Sequence, residues 1–179
     1  MTWQAFKIKT EKKFKNQRLY SNRWGWQIQP GTQWGVGLKT EEIHALEALF
    51  GFEFPSDYRE MLSVMNGFDR DQISIDPDGE RADTFGGSMY KYPQDYGNSQ
   101  WLTEEIHTFM DYTKAPLSAA GFDVSEIVGF VPLYGHRALV VFRDKSLSPV
   151  VSVHQGTDVI MYGNSLMEYW IHEFEFKIS

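Results

Sequence analysis

Residues 34–67 read WGVGLKTEEIHALEALFGFEFPSDYREMLSVMNG, and their pattern is two short amphipathic helices in tandem. Thr40 is a good N-cap, and Glu41 and Glu42 sit in the first turn, where the helix dipole favours anions. Ile43, Leu46, Leu49 and Phe50 recur at helical spacing and give one apolar stripe, which Gly51 ends. Pro55 and Ser56 open the second helix as a first-turn proline or a hydroxyl cap. Tyr58, Met61, Leu62 and Met65 follow at i, i+3, i+4 and i+7, and Asn66-Gly67 is expected to supply a left-handed stop. Helices this short are not stable alone, so their stripes must pack on another layer, for which a sheet is expected.

That sheet is expected downstream. Ile127 to Tyr134, His136 to Arg143, Pro149 to His154 and Asp158 to Tyr162 are short runs rich in Val, Ile, Leu and Tyr. Gly135, the Ser146 to Pro149 stretch and Gln155-Gly156 punctuate them, which predicts an antiparallel meander. A closing helix begins with Ser165 and Glu168 in capping-box spacing and carries Leu166, Tyr169, Trp170 and Phe174 on one stripe. Helices before a run of strands predict an α+β fold in a single domain. At 179 residues and 42% hydrophobic, the chain can bury roughly 70% of its unfolded surface in one core.

Two segments are less regular. In residues 1–35, Trp3, Phe6 and Ile8 precede a Lys-rich stretch from Lys12 to Arg18, and Trp24, Trp26 and Trp34 surround Pro30-Gly31. Neither period dominates, so short strands or irregular structure are expected, with the tryptophans in the core and the lysines solvated. Residues 69–100 read as a long polar insertion. It begins with Asp69, Asp71, Asp76, Asp78, Glu80 and Asp83, opposed only by Arg70 and Arg81. Ile73 and Ile75 alternate before Asp78-Gly79, a hairpin-turn signal. Tyr90, Tyr92 and Tyr96 follow in ordered loop, and a helix from Trp101 to Tyr112 is expected, capped by Thr103. A short turn or helix around Ser118 to Val124 leads into the strands.

The opening motifs, taken with the closing ones, resemble the SUKH superfamily, which holds bacterial toxin-immunity proteins and the fungal Smi/Knr cell-wall regulators. At the front the resemblance rests on Gly37-Leu38, Glu42-Ile43, Leu46-Glu47, Phe50-Gly51, Phe54-Pro55, Asp57-Tyr58, Met61-Leu62 and Asn66-Gly67. At the back it rests on Phe130-Val131-Pro132, His136-Arg137, Pro149-Val150-Val151-Ser152, Asp158-Val159-Ile160 and the helix from Ser165 to Trp170. Phe54 departs from it, standing where the family more often has a smaller aliphatic residue. The resemblance implies a mixed sheet with packed helices; the domain is expected over residues 24–179, with residues 1–23, which lie outside the resemblance, as a basic arm that is part of this domain or packed on it. It also implies binding without catalysis: an immunity protein that covers a cognate toxin, often a nuclease. A regulatory scaffold of the fungal type is the alternative.

Charge and composition bear on partners. Residues 1–35 hold seven Lys and Arg against the single Glu11, although the whole chain is at −7. The body is therefore strongly acidic, which predicts attraction to a basic protein and repulsion of duplex nucleic acid. The acidic insertion is the candidate partner-binding element: Asp69, Asp71, Asp76, Asp78, Glu80 and Asp83 to meet Arg and Lys, with Tyr90, Tyr92, Tyr96 and Trp101 as aromatic anchors. The absence of cysteine excludes disulfides, thiolate zinc sites and cysteine nucleophiles. No signal-peptide pattern and no apolar run of membrane-spanning length is present, so a cytoplasmic protein with no membrane partner is expected.

Little points to chemistry. No HExxH, GxSxG or GxxxxGK[ST] pattern occurs. His136, His154 and Asp158 are expected on paired strands, where they would imitate a His/Asp acid–base site or simply sit as strand-end histidines. His44, His107 and His172 are expected on helices. Asp76-Pro77-Asp78-Gly79 resembles the start of a calcium loop but lacks the later oxygen ligands. Pro77-Asp78 with Glu175-Phe176-Lys177 imitates a metal-nuclease pattern from distant parts of the chain. No cofactor, metal or catalytic residue is expected.

Overall fold

The sheet at the centre is the meander that the strand pattern predicts. The computed structural model describes residues 1–23, 25–76, 78, 81–82 and 89–177, with the backbone alone at 81–82 and 175–177. The strands of the large sheet are β6 (Ile127–Tyr134), β7 (Arg137–Phe142), β8 (Val150–His154) and β9 (Asp158–Gly163), hydrogen-bonded in that order. Before them come β1 (Gly25–Gln27), β2 (Trp34–Val36), β3 (Met65–Phe68), β4 (Ile73–Ile75) and β5 (Arg81–Ala82). These make a small sheet in the order β1-β4-β5 and a ribbon β2-β3. Every strand pairing is antiparallel among the described residues. The helices are α1 (Trp3–Lys15), α2 (Thr40–Phe50), α3 (Ser56–Val64), α4 (Tyr96–Thr108), α5 (Met110–Ala119) and α6 (Leu166–Lys177).

The large sheet is covered on both faces, which is why its strands are almost continuously apolar. On one face Val131, Leu133, Leu139, Val141 and Val150 meet Ile43 and Leu46 of α2, Tyr58, Met61 and Leu62 of α3, and Leu166, Tyr169, Trp170 and Phe174 of α6. On the other, Phe130, Ala138, Val140, Phe142, Val151 and Val153 meet Leu102 and Ile106 of α4 and Leu117 of α5. Alternate residues along each strand supply alternate layers. The stripes expected for α2, α3 and α6 are the buried ones, except that Leu49 is exposed and Phe50 half-buried. Glu47 of α2 is buried as well. Its Oε1 accepts from the Phe54 amide at 2.7 Å and from Arg59 Nε at 2.5 Å, which links α2 to α3.

Three local expectations are corrected. The first concerns residues 3–15, which form a helix instead of strands. Trp3, Phe6, Thr10 and Phe14 are buried at intervals of three and four, while Ile8, which obscures that period, is exposed. Thr10 belongs to the stripe because its hydroxyl donates to the Phe6 carbonyl at 2.9 Å and accepts from Trp34 Nε1 at 2.8 Å. Trp34 then sits among Phe6, Phe14, Phe68, Trp170 and Phe174, so α1 contributes directly to the core. Trp26 is half-buried, and Trp24 lies outside the described residues.

Second, Asn66-Gly67 is not a helix stop. α3 ends where Met65 turns extended at φ −157° and ψ 146°, and the chain continues as β3 against β2. Third, the next helix begins at Tyr96, five residues before the expected start, so Thr103 lies inside it and caps nothing. It breaks at Phe109 and resumes as α5. The short turn or helix expected before β6 is present as a turn at 120–121 and a 3-10 turn at Val124–Glu126, with Asp123 accepting from the Ser125 amide. The expected cap of α6 forms in its first half, with Ser165 Oγ accepting from the Glu168 amide at 3.2 Å, while the Glu168 carboxylate accepts from the amide of Asn164, one residue before the cap, at 2.9 Å.

Candidate functional site

Both ends of the acidic segment run to one turn of the large sheet, Tyr134-Gly135-His136. At the entry, Gln72 Nε2 donates to the Tyr134 hydroxyl at 2.9 Å. At the exit, Met89 forms an isolated antiparallel bridge with Tyr134. Between them β4 pairs with β5 as Ser74 with Ala82 and Ile75 with Arg81, so the expected hairpin forms, and β4 also pairs with β1. Arg137 braces the turn from below. Its guanidinium lies over the rings of Tyr134 at 5.5 Å and Tyr162 at 5.1 Å, and its Nε is 3.8 Å from the Glu173 carboxylate. Burial works to lower the Arg137 pKa, but Glu173 and the Tyr162 hydroxyl outweigh it and raise it. The cation is therefore kept.

The acidic residues differ in how far they are committed to partners within the chain. Asp69 is exposed yet engaged. Arg70 grips it at 2.8 Å and holds its pKa below the ordinary value, and it accepts from the Gln33 amide at 2.9 Å. Asp71 and Asp78 are exposed, and Asp76 is half-buried with its Oδ1 accepting from the Asp78 amide at 3.1 Å. Glu80 and Asp83 lie outside the described residues, as do most of the turn and Pro77 of the nuclease-like pattern.

Two of the four aromatic anchors are corrected. Tyr92 is buried: its hydroxyl donates to the Pro132 carbonyl at 2.7 Å and its amide to Asn66 at 3.1 Å. Tyr90 is 8% exposed and stacks on Tyr92, so neither presents a ring to a partner. Their alternation within a polar stretch is the mark of a segment packed on the sheet edge, and nothing local separates that from an exposed loop. Tyr96 is half-buried, with its hydroxyl donating to the Leu49 carbonyl at 3.1 Å.

Trp101 is different, being 48% exposed on α4. Its Nε1 donates to the Tyr90 hydroxyl at 3.1 Å, and that hydroxyl donates to the Gly135 carbonyl at 3.2 Å. Burial raises the Tyr90 pKa against the opposing Trp101 bond, so the hydroxyl stays neutral and can serve both partners. The relay fixes a large ring at the surface with little rotamer entropy left to lose on binding. Sequence reasoning missed Gln72, Tyr134 and Gly135. The contacts that make them a hub join positions up to 62 apart, which no local period records.

The histidine expectation also lands at this turn. The rings of His136 and His154 are 5.5 Å apart at 65° to each other, and Asp158 is directly opposite His154 in the β8–β9 register. Among the described residues no group of three or more His, Cys, Asp and Glu side chains is placed to hold a metal ion. No described helix is long and apolar enough to cross a membrane. No known family model matches this chain, and no curated protein matches it.

Proposed function

We propose that this chain is an immunity-type binding protein that covers a basic domain of a bacterial toxin and carries out no reaction of its own. The observation that carries the reading is the pair of tethers at the Tyr134-Gly135 turn: the segment bearing exposed Asp71 and Asp78 is tied there through Gln72, and half-exposed Trp101 through Tyr90. Clustered carboxylates steer a basic partner, and a fixed, half-exposed tryptophan suits the centre of an interface. A nuclease must present a basic groove to its substrate, and such a groove is what this surface complements. The resemblance of residues 24–174 to immunity proteins supports the same reading. The test is co-expression with the protein encoded beside this chain's gene. Rescue of host growth, with both proteins in one complex, is expected. Capture of a non-toxic signalling protein in its place would favour the regulatory scaffold.

A further inference from the structure

The geometry points to a second property at the same turn: we propose that His136 and His154 form a two-imidazole site for a divalent late first-row metal ion such as Zn²⁺ or Ni²⁺. With Zn–N bonds of about 2.1 Å and a tetrahedral angle, two imidazoles on one ion have ring centroids about 5.3 Å apart. The observed separation is 5.5 Å. An ordinary edge-to-face contact has a similar spacing, so the distance alone does not decide; three further features favour a shared ion.

The strand ends are held firmly. The Val153 amide donates to the His136 carbonyl at 2.8 Å, which locks the two strands together beside the rings. The β8–β9 turn is pinned from outside: a Cβ on Gly156 would stand 2.2 Å from the Phe109 ring, so the backbone there is pressed against the α4–α5 corner. The pair is also accessible, with His154 exposed and His136 half-exposed. Finally, the local charge favours a cation. Asp158 faces His154 across the strands, with Cβ atoms of such a pair about 5 Å apart, close enough for a carboxylate to join the ion by a rotamer change. Arg137, next to His136 in the chain, is engaged with Tyr134, Tyr162 and Glu173. Imidazole ligands select zinc, nickel and copper over magnesium.

This inference stands apart from the proposed function and survives its failure. The test is titration of the untagged full chain with ZnCl₂, NiCl₂ and MgCl₂, followed by calorimetry and by the histidine ring resonances. One zinc or nickel ion per chain is expected, with two of the five histidines shifting and no response to magnesium. Losing even a supporting partner of a metal ligand weakens binding about 10–100-fold. His136→Gln and His154→Gln should each cost at least that, whereas His44→Gln and His172→Gln should leave affinity unchanged. Because His154 is exposed, its variant keeps the test valid even if His136→Gln misfolds. Absence of binding up to millimolar zinc, or binding unaffected by His154→Gln, would overturn the proposal.

Discussion

Truncating Phe14 tests whether the N-terminal helix belongs to the core. Phe14 is 0% exposed and meets Phe68 and Phe174 edge-on, with ring centroids 5.6 and 5.5 Å apart. Its carbonyl accepts from the Gly31 amide at 2.8 Å, which a side-chain change leaves intact. Phe14→Ala should therefore cost about 3–5 kcal/mol through lost burial and the cavity left behind. For a chain of this length each kcal/mol lowers the melting temperature by about 2–4 °C, so a fall of about 6–20 °C is expected. Lys12 lies on the same helix but is exposed, and Lys12→Ala should stay within about 0.5 kcal/mol. The assay is thermal melting of both variants by circular dichroism, with a urea series on each. Equal midpoints for the two variants would refute the helix as a core element and return residues 1–23 to the status of a surface arm.

The remaining predictions address the second helix, a buried acid and the surface tryptophan. Leu62 is 1% exposed, and Leu62→Ala should cost about 2–5 kcal/mol in a urea titration. Burial raises the Asp57 pKa above its ordinary 3.8, opposed by a hydrogen bond from Ser148. An acid raised in this way favours the folded state at low pH and loses that advantage as pH climbs through the folded pKa. Asp57→Asn lacks the titration, so its urea midpoint should gain on the parent's as pH rises above the ordinary carboxylate value of about 4; a difference independent of pH would contradict this. Trp101→Ala should weaken partner binding by about 2 kcal/mol or more, measured at a temperature where circular dichroism shows the variant folded. Unchanged affinity in a calorimetric titration would remove Trp101 from the interface.

Where an element's apolar signal repeats along its own length, the sequence reading and the structure agree. The meander from Ile127 is such a case, because apolar runs separated by turn residues specify both strand and connection. The paired stripes of α2 and α3 are another, since each turn repeats the same face. The reading fails where the decisive contact is distant. α1 hides its period because its stripe is one residue wide and includes Thr10, whose place depends on Trp34 Nε1 at 2.8 Å. Asn66-Gly67 carries a helix-stop composition, but β2 lies alongside and claims the backbone for a ribbon. Tyr92 reads as loop until the Pro132 carbonyl and Asn66 are placed next to it. In the candidate site the acidic hairpin and Trp101 are legible individually. Their convergence on Tyr134-Gly135 is a tertiary fact.

The measurement that bears most directly on the proposed function is the association rate with the partner recovered by the co-expression test, followed across ionic strength. The triple variant Asp71→Asn, Asp76→Asn, Asp78→Asn removes three carboxylates. The side-chain amide oxygen introduced at position 76 can still accept from the backbone amide at position 78, so the hairpin should persist. Electrostatic steering raises association by about tenfold or more at low salt and is screened within about 8–10 Å at physiological salt. The account predicts that the parent binds at least about tenfold faster at low than at high salt and that the variant's rate is slower and nearly flat. A variant that associates as fast as the parent at every salt concentration would contradict it.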